Sequence, residues 1–243
     1  MRNLNEEFTD NEHRQYAYDF DYKMHAYMMR SFQPYLPSGR AVELGCYHGM
    51  FTERLTGFYD DVSVVEGASD LIDIARTHVG DSVTFHHSMF EDFEPEQPFD
   101  AAFLMHTLEH LDGPVEVLRR IGSWLSPQGK LFVAVPNAHA ASRQIAVGMG
   151  LISHASAVTE GEALHGHRCT YSIDTLVADI KAAGLHVEDF GGVMFKPLAN
   201  YQFDACLQNG TVDDAFLEGC YVLGKRYPDL CASIYAVCTP APQ

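Results

Sequence analysis

The sequence predicts an α/β protein built on one seven-stranded, mainly parallel sheet with helices on both faces. Three observations carry this reading. Short apolar runs alternate along the chain with helical stretches, as they do when each strand is followed by a crossover helix. The runs are continuous rather than alternating and are bounded by Gly, Asp or Pro, which is the signature of strands covered on both faces. The chain is 243 residues long without an internal repeat or low-complexity tract, a length that suits a single domain.

Taken in order, residues 12–32 are dense in Tyr and Met and read as an amphipathic helix laid across the domain. Residues 41–44, 62–65, 83–85, 101–105 and 131–135 read as five strands. Helices at 50–55, 69–78 and 114–125 fill the intervals, the last opened by Pro114 behind Asp112 and Gly113. Connections between parallel neighbours are then right-handed. Ser172 is a helix cap for Ile173, Leu176, Val177 and Ile180, which fall at i, i+3, i+4 and i+7, and Gly184 ends that helix. Residues 185–190 and 231–238 supply the sixth and seventh strands. Two segments break the alternation: 138–170, rich in Gly, Ala and His, and 196–229, with a helix-like stretch at 212–225. Both leave the sheet where loops of such folds cover a site. The expected division is one domain over 1–243, with its core at 36–195, the two inserted segments, and a last strand and tail at 230–243.

Composition removes several functional classes. Apolar residues make up 47% of the chain, too many for a disordered polymer. The longest apolar stretches, such as 131–136, fall far short of the ~20 residues of a membrane span, so no membrane association is expected. Residues 1–10 carry one Arg and three acids without an apolar core, which fits no secretory or transit signal and points to a cytoplasmic protein. Six cysteines without a CxxC pair sit among apolar neighbours, as buried reduced thiols do, and argue against structural zinc. Sixteen Lys plus Arg against 33 Asp plus Glu leave a net charge of -17, which repels phosphate backbones, so no nucleic acid partner is expected.

The chemistry concentrates at the first strand-to-helix turn, Glu43-Leu44-Gly45-Cys46-Tyr47-His48-Gly49. In an open α/β sheet, ligands bind outside the strand carboxyl ends at such a turn, and glycine allows close backbone approach. The second strand ends in Glu66, close to the ~20 residues after Gly45 at which an acid meets a ribose in nucleotide-binding units. A dinucleotide would fit this spacing, but Glu43 would repel its pyrophosphate. Beside a ligand carrying a sulfonium and an ammonium the same acid is favourable, so the charge pattern favours S-adenosylmethionine.

The ordered set Glu43-Leu-Gly45-x-x-x-Gly49, Glu66, Phe90-Glu-Asp-Phe93, Phe99-Asp100, Leu108-Glu109-His110-Leu111 and Leu125-Ser-Pro-Gln-Gly129 resembles class I methyltransferases of the type 11/12 group, over roughly residues 36–195. The resemblance implies a Rossmann-like fold and S-adenosyl-L-methionine as methyl donor, with S-adenosyl-L-homocysteine as product. It also implies that Gly45 and Gly49 border the methionine and ribose portions, Glu43 lies near the amino group, Glu66 holds the ribose hydroxyls, and residues around Met89 and Phe90 flank the adenine. Cys46, Tyr47, Gly67 and Met105 complete the expected cofactor set. Tyr47 stands where the family most often has glycine, and Met89 where many members have Asp.

Methyl transfer to a hydroxyl or amine needs alignment and a proton acceptor. His106 and His110 follow the fourth strand on the side open to substrate and are the candidate catalytic bases. His110 either acts directly or supports the cofactor loop. His106, Glu109 and His110 form H-x-x-E-H, which on a helix would share one face; a cation there would need a further ligand such as His165 or His167, and no metal is expected. His165, His167, Arg168 and Tyr171 resemble a loop found in small-metabolite-modifying members, either an acceptor-facing lid or an anchored loop. The expected activity is methylation of O or N on a small metabolite, such as a sugar nucleotide or natural-product intermediate. The inserted segments would build the acceptor pocket or a homodimer contact. A protein or RNA methyltransferase and a non-catalytic S-adenosylmethionine-binding protein are the rival readings.

Overall fold

The computed structural model describes residues 4–5 and 19–241. Strands β1 (Arg40–Leu44), β2 (Asp61–Glu66), β3 (Val83–His87), β4 (Phe99–Met105), β5 (Leu125–Pro136), β6 (Leu185–Phe195) and β7 (Cys231–Pro240) form one sheet in the order β3-β2-β1-β4-β5-β7-β6. Pairing is parallel from β3 through β5, and β7 runs antiparallel between β5 and β6. The seven-stranded, mainly parallel sheet expected from the sequence is therefore present. The chain first steps outward from β1 to β3 and then returns to β4 on the other side of β1. This reversal leaves a crevice beyond the carboxyl ends of β1 and β4.

Helices α1 (Asp19–Phe32), α2 (Met50–Thr56), α3 (Ser69–Val79), α4 (Pro114–Trp124), α5 (Ala141–Gly148), α6 (Glu160–Leu164), α7 (Ile173–Ala182), α8 (Asn200–Gln208) and α9 (Asp214–Gly224) complete the fold. One face of the sheet buries Met28, Phe32, Phe51, Phe103 and Phe132 beneath α1 and α2. The other buries Leu118, Ile121, Trp124, Leu176 and Ile180 beneath α4 and α7. Helix α7 starts as its sequence requires: the Ser172 hydroxyl accepts the Thr175 amide at 3.3 Å, and Gly184 takes the left-handed conformation just past the end. Of the amphipathic stretch at 12–32, residues 19–32 are helical and 12–18 lie outside the described residues. No helix among the described residues is long and apolar enough to cross a membrane.

Segments 138–170 and 196–229 have different jobs. Segment 196–229 contributes α8 and α9, which clamp α1: Asp204 accepts the amides of Asp19 and Phe20 at 3.1 and 2.9 Å, Phe20 stacks on Phe203 at 4.7 Å, and Ser31 pairs with the Tyr221 hydroxyl at 3.1 Å. Segment 138–170 carries α5 and α6 and is closed at its base where the Ala138 amide donates to the Tyr171 carbonyl at 2.7 Å. The expected helical face for His106, Glu109 and His110 does not form. Only Leu108–His110 make a turn of 3-10 helix, and His106 sits before it with φ of 49°.

Candidate functional site

The turn after β1 is wound by three left-handed residues in a five-residue span: Gly45 (φ 78°), Tyr47 (φ 46°) and Gly49 (φ 82°). Tyr47 is the bulky residue among them, in a region that L side chains seldom adopt, and its ring stacks on His48 at 3.9 Å. The Gly49 amide closes the turn on the Cys46 carbonyl at 2.8 Å. At Gly45 a Cβ would come within 2.9 Å of the Thr107 hydroxyl, so a side chain there would collide with Thr107 as well as strain the left-handed backbone. Glu66 ends β2 and turns its carboxylate towards this loop, accepting the Cys46 amide on Oε2 at 3.2 Å and the Ala68 amide on Oε1 at 2.9 Å. A cavity of about 290 Å³ follows, lined by Gly45, Tyr47, Glu66, Gly67, Met89 and Phe90, among others. Leu4 closes it from the N-terminal side.

A second cavity, of about 380 Å³, lies against the first. Phe20, Met24 and Phe51 form an apolar wall, while Asp21, Glu43, Glu109, Arg143, Glu162 and Lys196 bring charge. Glu43 accepts the Thr52 hydroxyl at 2.5 Å, and burial together with the nearby Glu66 pushes its carboxyl up to about 8. Burial likewise pushes Glu109 up to about 8, and neither of its side-chain oxygens has a hydrogen-bond partner. Arg143 is ion-paired with Glu162. Lys196, only 8% exposed, donates to Asn200 and has its pKa lowered to about 8 by burial.

The two cavities share one boundary, formed by Gly45, Tyr47, Met105, His106 and His165. His106 is held there by its amide, bonded to the Ala134 carbonyl at 2.8 Å, and by Nε2, 2.9 Å from Ser233 Oγ. Burial, reinforced by His25, His167 and Lys196, lowers its pKa to about 3, so the ring is neutral at physiological pH. His110 lines the first cavity and Glu109 the second. Their side chains approach to 4.0 Å, too long for a hydrogen bond. Glu109, His110 and His167 bring one ligand atom each within 4.8 Å of one another, so among the described residues the donors that could hold a cation are these three, with His167 in the place expected of His106. One carboxylate and two imidazoles form an N/O set suited to a divalent transition metal.

Most of the residues singled out from the sequence thus converge. Gly45, Tyr47, Glu66, Gly67, Met89, Phe90, Met105, His106 and His110 line the first cavity, whereas Glu43 and Cys46 line the second. Gly49 lines neither; a Cβ there would press within 2.9 Å of Ala75 Cβ, so its smallness serves the packing of α2 on α3. Sequence reasoning missed Thr107, Lys196 and Ser233. Lys196 had a readable sign, a lone cation directly after an apolar strand end; Ser233 had none, being 127 positions from the histidine it meets.

A family model described as a methyltransferase domain matches residues 12–189. A ubiquinone biosynthesis O-methyltransferase of Xanthomonas euvesicatoria is 31% identical over 170 residues, covering 68% of this chain and 70% of that protein. Among solved structures, the complex of DhpI with S-adenosylhomocysteine superposes with a TM-score of 0.62 at 18% identity, covering 99% of this chain and 96% of that one. The N-methyltransferase NodS of Bradyrhizobium japonicum, also with S-adenosylhomocysteine, gives a TM-score of 0.62 at 13% identity over 99% of this chain and all of that one. With the glycine turn, the acid at the end of β2 and the paired cavities already in place, the matched domain and the relative at 31% identity show that this chain belongs to the S-adenosylmethionine-dependent methyltransferases.

Proposed function

We propose that the protein transfers the methyl group of S-adenosylmethionine to an oxygen or nitrogen of a small metabolite held in the second cavity. The observation that carries this reading is the shared boundary: two neighbouring cavities meet at Gly45, Tyr47, Met105, His106 and His165, as a donor site and an acceptor site must. The first cavity fits the cofactor on its own features. A side chain at Gly45 would press on Thr107 in the wall of that cavity, and Glu66, buried in the same wall with a raised pKa, favours a cationic ligand, as does Glu43 from the adjoining wall of the second cavity. Glu66 would take the ribose hydroxyls on lone pairs left free by its two amide bonds, Met89 and Phe90 would flank the adenine, and Glu43 would face the amino-acid end. When bound, S-adenosylmethionine supplies an electrophilic methyl on a cationic sulfur.

Of the two candidate bases, His106 is the better supported, because it borders both cavities while His110 borders only the first. With Nε2–H donated to Ser233, His106 Nδ1 keeps a lone pair for the acceptor proton. His110, beside Glu109 and 4.6 Å from the His167 ring, then orders the loop that closes the site. The same reading takes the enzyme as cytoplasmic, where its six free cysteines stay reduced, with the net charge of -17 keeping nucleic acid away.

Calorimetry with S-adenosylhomocysteine and NAD side by side tests the donor site: the thioether product should bind, and tight binding of NAD alone would end the methyltransferase reading. Asn tolerates a left-handed backbone, so His106→Asn is the variant that removes the imidazole with least strain. It is expected to cut turnover by about 100-fold with S-adenosylhomocysteine affinity kept, as loss of a general base does. Unchanged turnover assigns the ring to structure.

A further inference from the structure

Lys196 is a buried cation that makes no ion pair with a carboxylate among the described residues. Its side chain lies at the end of β6 in the wall of the second cavity, 8% exposed. The other cation of that wall, the half-buried Arg143, is satisfied by Glu162 and by the carbonyls of Ala155 and Ala157. Lys196 has no such partner: among the described residues no carboxylate comes within ion-pair distance of Nζ. Its contacts are the Asn200 side-chain oxygen and the face of the Phe20 ring, 5.3 Å away. The amide of the same Asn200 donates to Asp21 at 2.7 Å and so links the ammonium to an acid whose charge is felt at Lys196 without an ion pair forming. An ammonium has three N–H donors, and among the described residues only Asn200 takes one of them. A desolvated charge left in that state is costly unless something completes it.

We infer that Lys196 selects the acceptor, by binding a carboxylate carried on the molecule to be methylated. The inference rests on the methyltransferase reading of the two cavities and deepens it to a substrate class: a ring-sized acceptor with a single anionic head. The cavity, at about 380 Å³, takes one ring with substituents, and Phe20, Met24 and Phe51 offer it an apolar wall. A monoanion suits the site better than a phosphate dianion, because Lys196 offers a single positive charge, Arg143 being already paired with Glu162, and a second negative charge would meet Asp21 in the same cavity. The charge of Lys196 is also felt at His106, which sets the recognised head group within electrostatic reach of the boundary where transfer occurs. Lys196 would act by positioning the acceptor.

The test compares para-hydroxybenzoate with para-hydroxybenzamide, of nearly the same shape but without the charge, each titrated calorimetrically into the full-length protein saturated with S-adenosylhomocysteine. Wild type is expected to bind the carboxylate about tenfold or more tightly, as a charged hydrogen bond gained on binding implies. Lys196→Met is expected to erase that preference with S-adenosylhomocysteine affinity unaltered. Replacing an unpaired buried ammonium by an apolar side chain of like length removes a desolvation cost, so the variant should melt no lower than wild type. Equal binding of the two probes, preference for the amide, binding of neither, or a preference that survives in Lys196→Met each overturns the inference. Should Lys196→Met fail to fold, the wild-type comparison still decides. Absence of S-adenosylhomocysteine binding strikes the methyltransferase reading itself; its presence without carboxylate preference strikes only the role of Lys196.

Discussion

Glu66 shows how much one carboxylate can do. Its two oxygens accept amides from two different turns, Cys46 after β1 and Ala68 after β2, so it fixes the floor of the first cavity before any ligand arrives. Glu66→Ala should weaken S-adenosylhomocysteine binding by about 1 to 3 kcal/mol, the cost of leaving hydrogen-bonded partners unsatisfied. Glu66→Gln should fall between the variant and wild type, since its amide keeps one accepting oxygen. Calorimetric dissociation constants check both, and an unchanged constant in Glu66→Ala would remove its ribose role. This residue was legible in the sequence because spacing along two adjacent βα units determines where a strand end can point. The charge state of Glu43 was not. By residue type Glu43 is an anion waiting for a cation, whereas burial and Glu66 push its carboxyl up to about 8, so near neutrality it is largely protonated until a cation enters. Tyr47 and His106 were equally opaque in one respect, since nothing in their side chains announces a left-handed backbone.

Segment 138–170 illustrates what sequence can say of an element and where it stops. Its length and its His-rich composition mark it as a loop over a site, but not how it is held. The answer is Arg143, whose guanidinium gathers the Ala155 and Ala157 carbonyls and the Glu162 carboxylate, while Glu162 also accepts the Thr159 amide at 2.8 Å. These partners lie 12 to 19 positions away, too far for any periodicity to reveal. The Arg168 amide then donates to the Glu109 carbonyl at 2.8 Å, tying the end of the segment to the turn after β4 and setting His165 and His167 against the cavities. By contrast the strands and α7 were readable, because burial on both faces and a Ser172 cap leave local marks. Arg143→Met should release residues 155–168 without loosening the sheet. Hydrogen exchange read by mass spectrometry would show faster exchange there and unchanged protection in β1, β4 and β5. Uniform loss of protection, or none, would mean that the segment is held some other way.

At the scale of the molecule, the site is a set of buried groups whose charges are suppressed in opposite senses, and this makes stability depend on pH in a definite direction. Burial raises Glu43 and Glu109 to about 8 and lowers His25 and His106 to about 4 and about 3. A carboxyl with a raised folded pKa binds more protons folded than unfolded, so its contribution is full below its unfolded pKa and is lost as pH rises towards 8. An imidazole with a lowered pKa does the reverse, losing its contribution as pH falls below about 6.5. The two senses offset one another between the unfolded carboxyl and imidazole values. Above that window only the acids act, and the raised Glu66 adds to them. The ligand-free, chelator-treated protein should therefore lose stability from pH 6.5 to 8, with a slope of at most about 1.4 kcal/mol per pH unit for each acid. The buried thiols reinforce this trend only near their ordinary range, and Lys196, lowered to about 8, opposes it only above that value. Glu43→Gln should flatten the slope, and saturating S-adenosylhomocysteine should do the same, because its ammonium stabilises the ionised acid that pH is drawing out. Melting midpoints by calorimetry across this range, with and without ligand, measure all three arms. A flat profile for the unliganded wild type would show that the acids of the site ionise as freely folded as unfolded, and with that the electrostatic argument for a cationic ligand would fail.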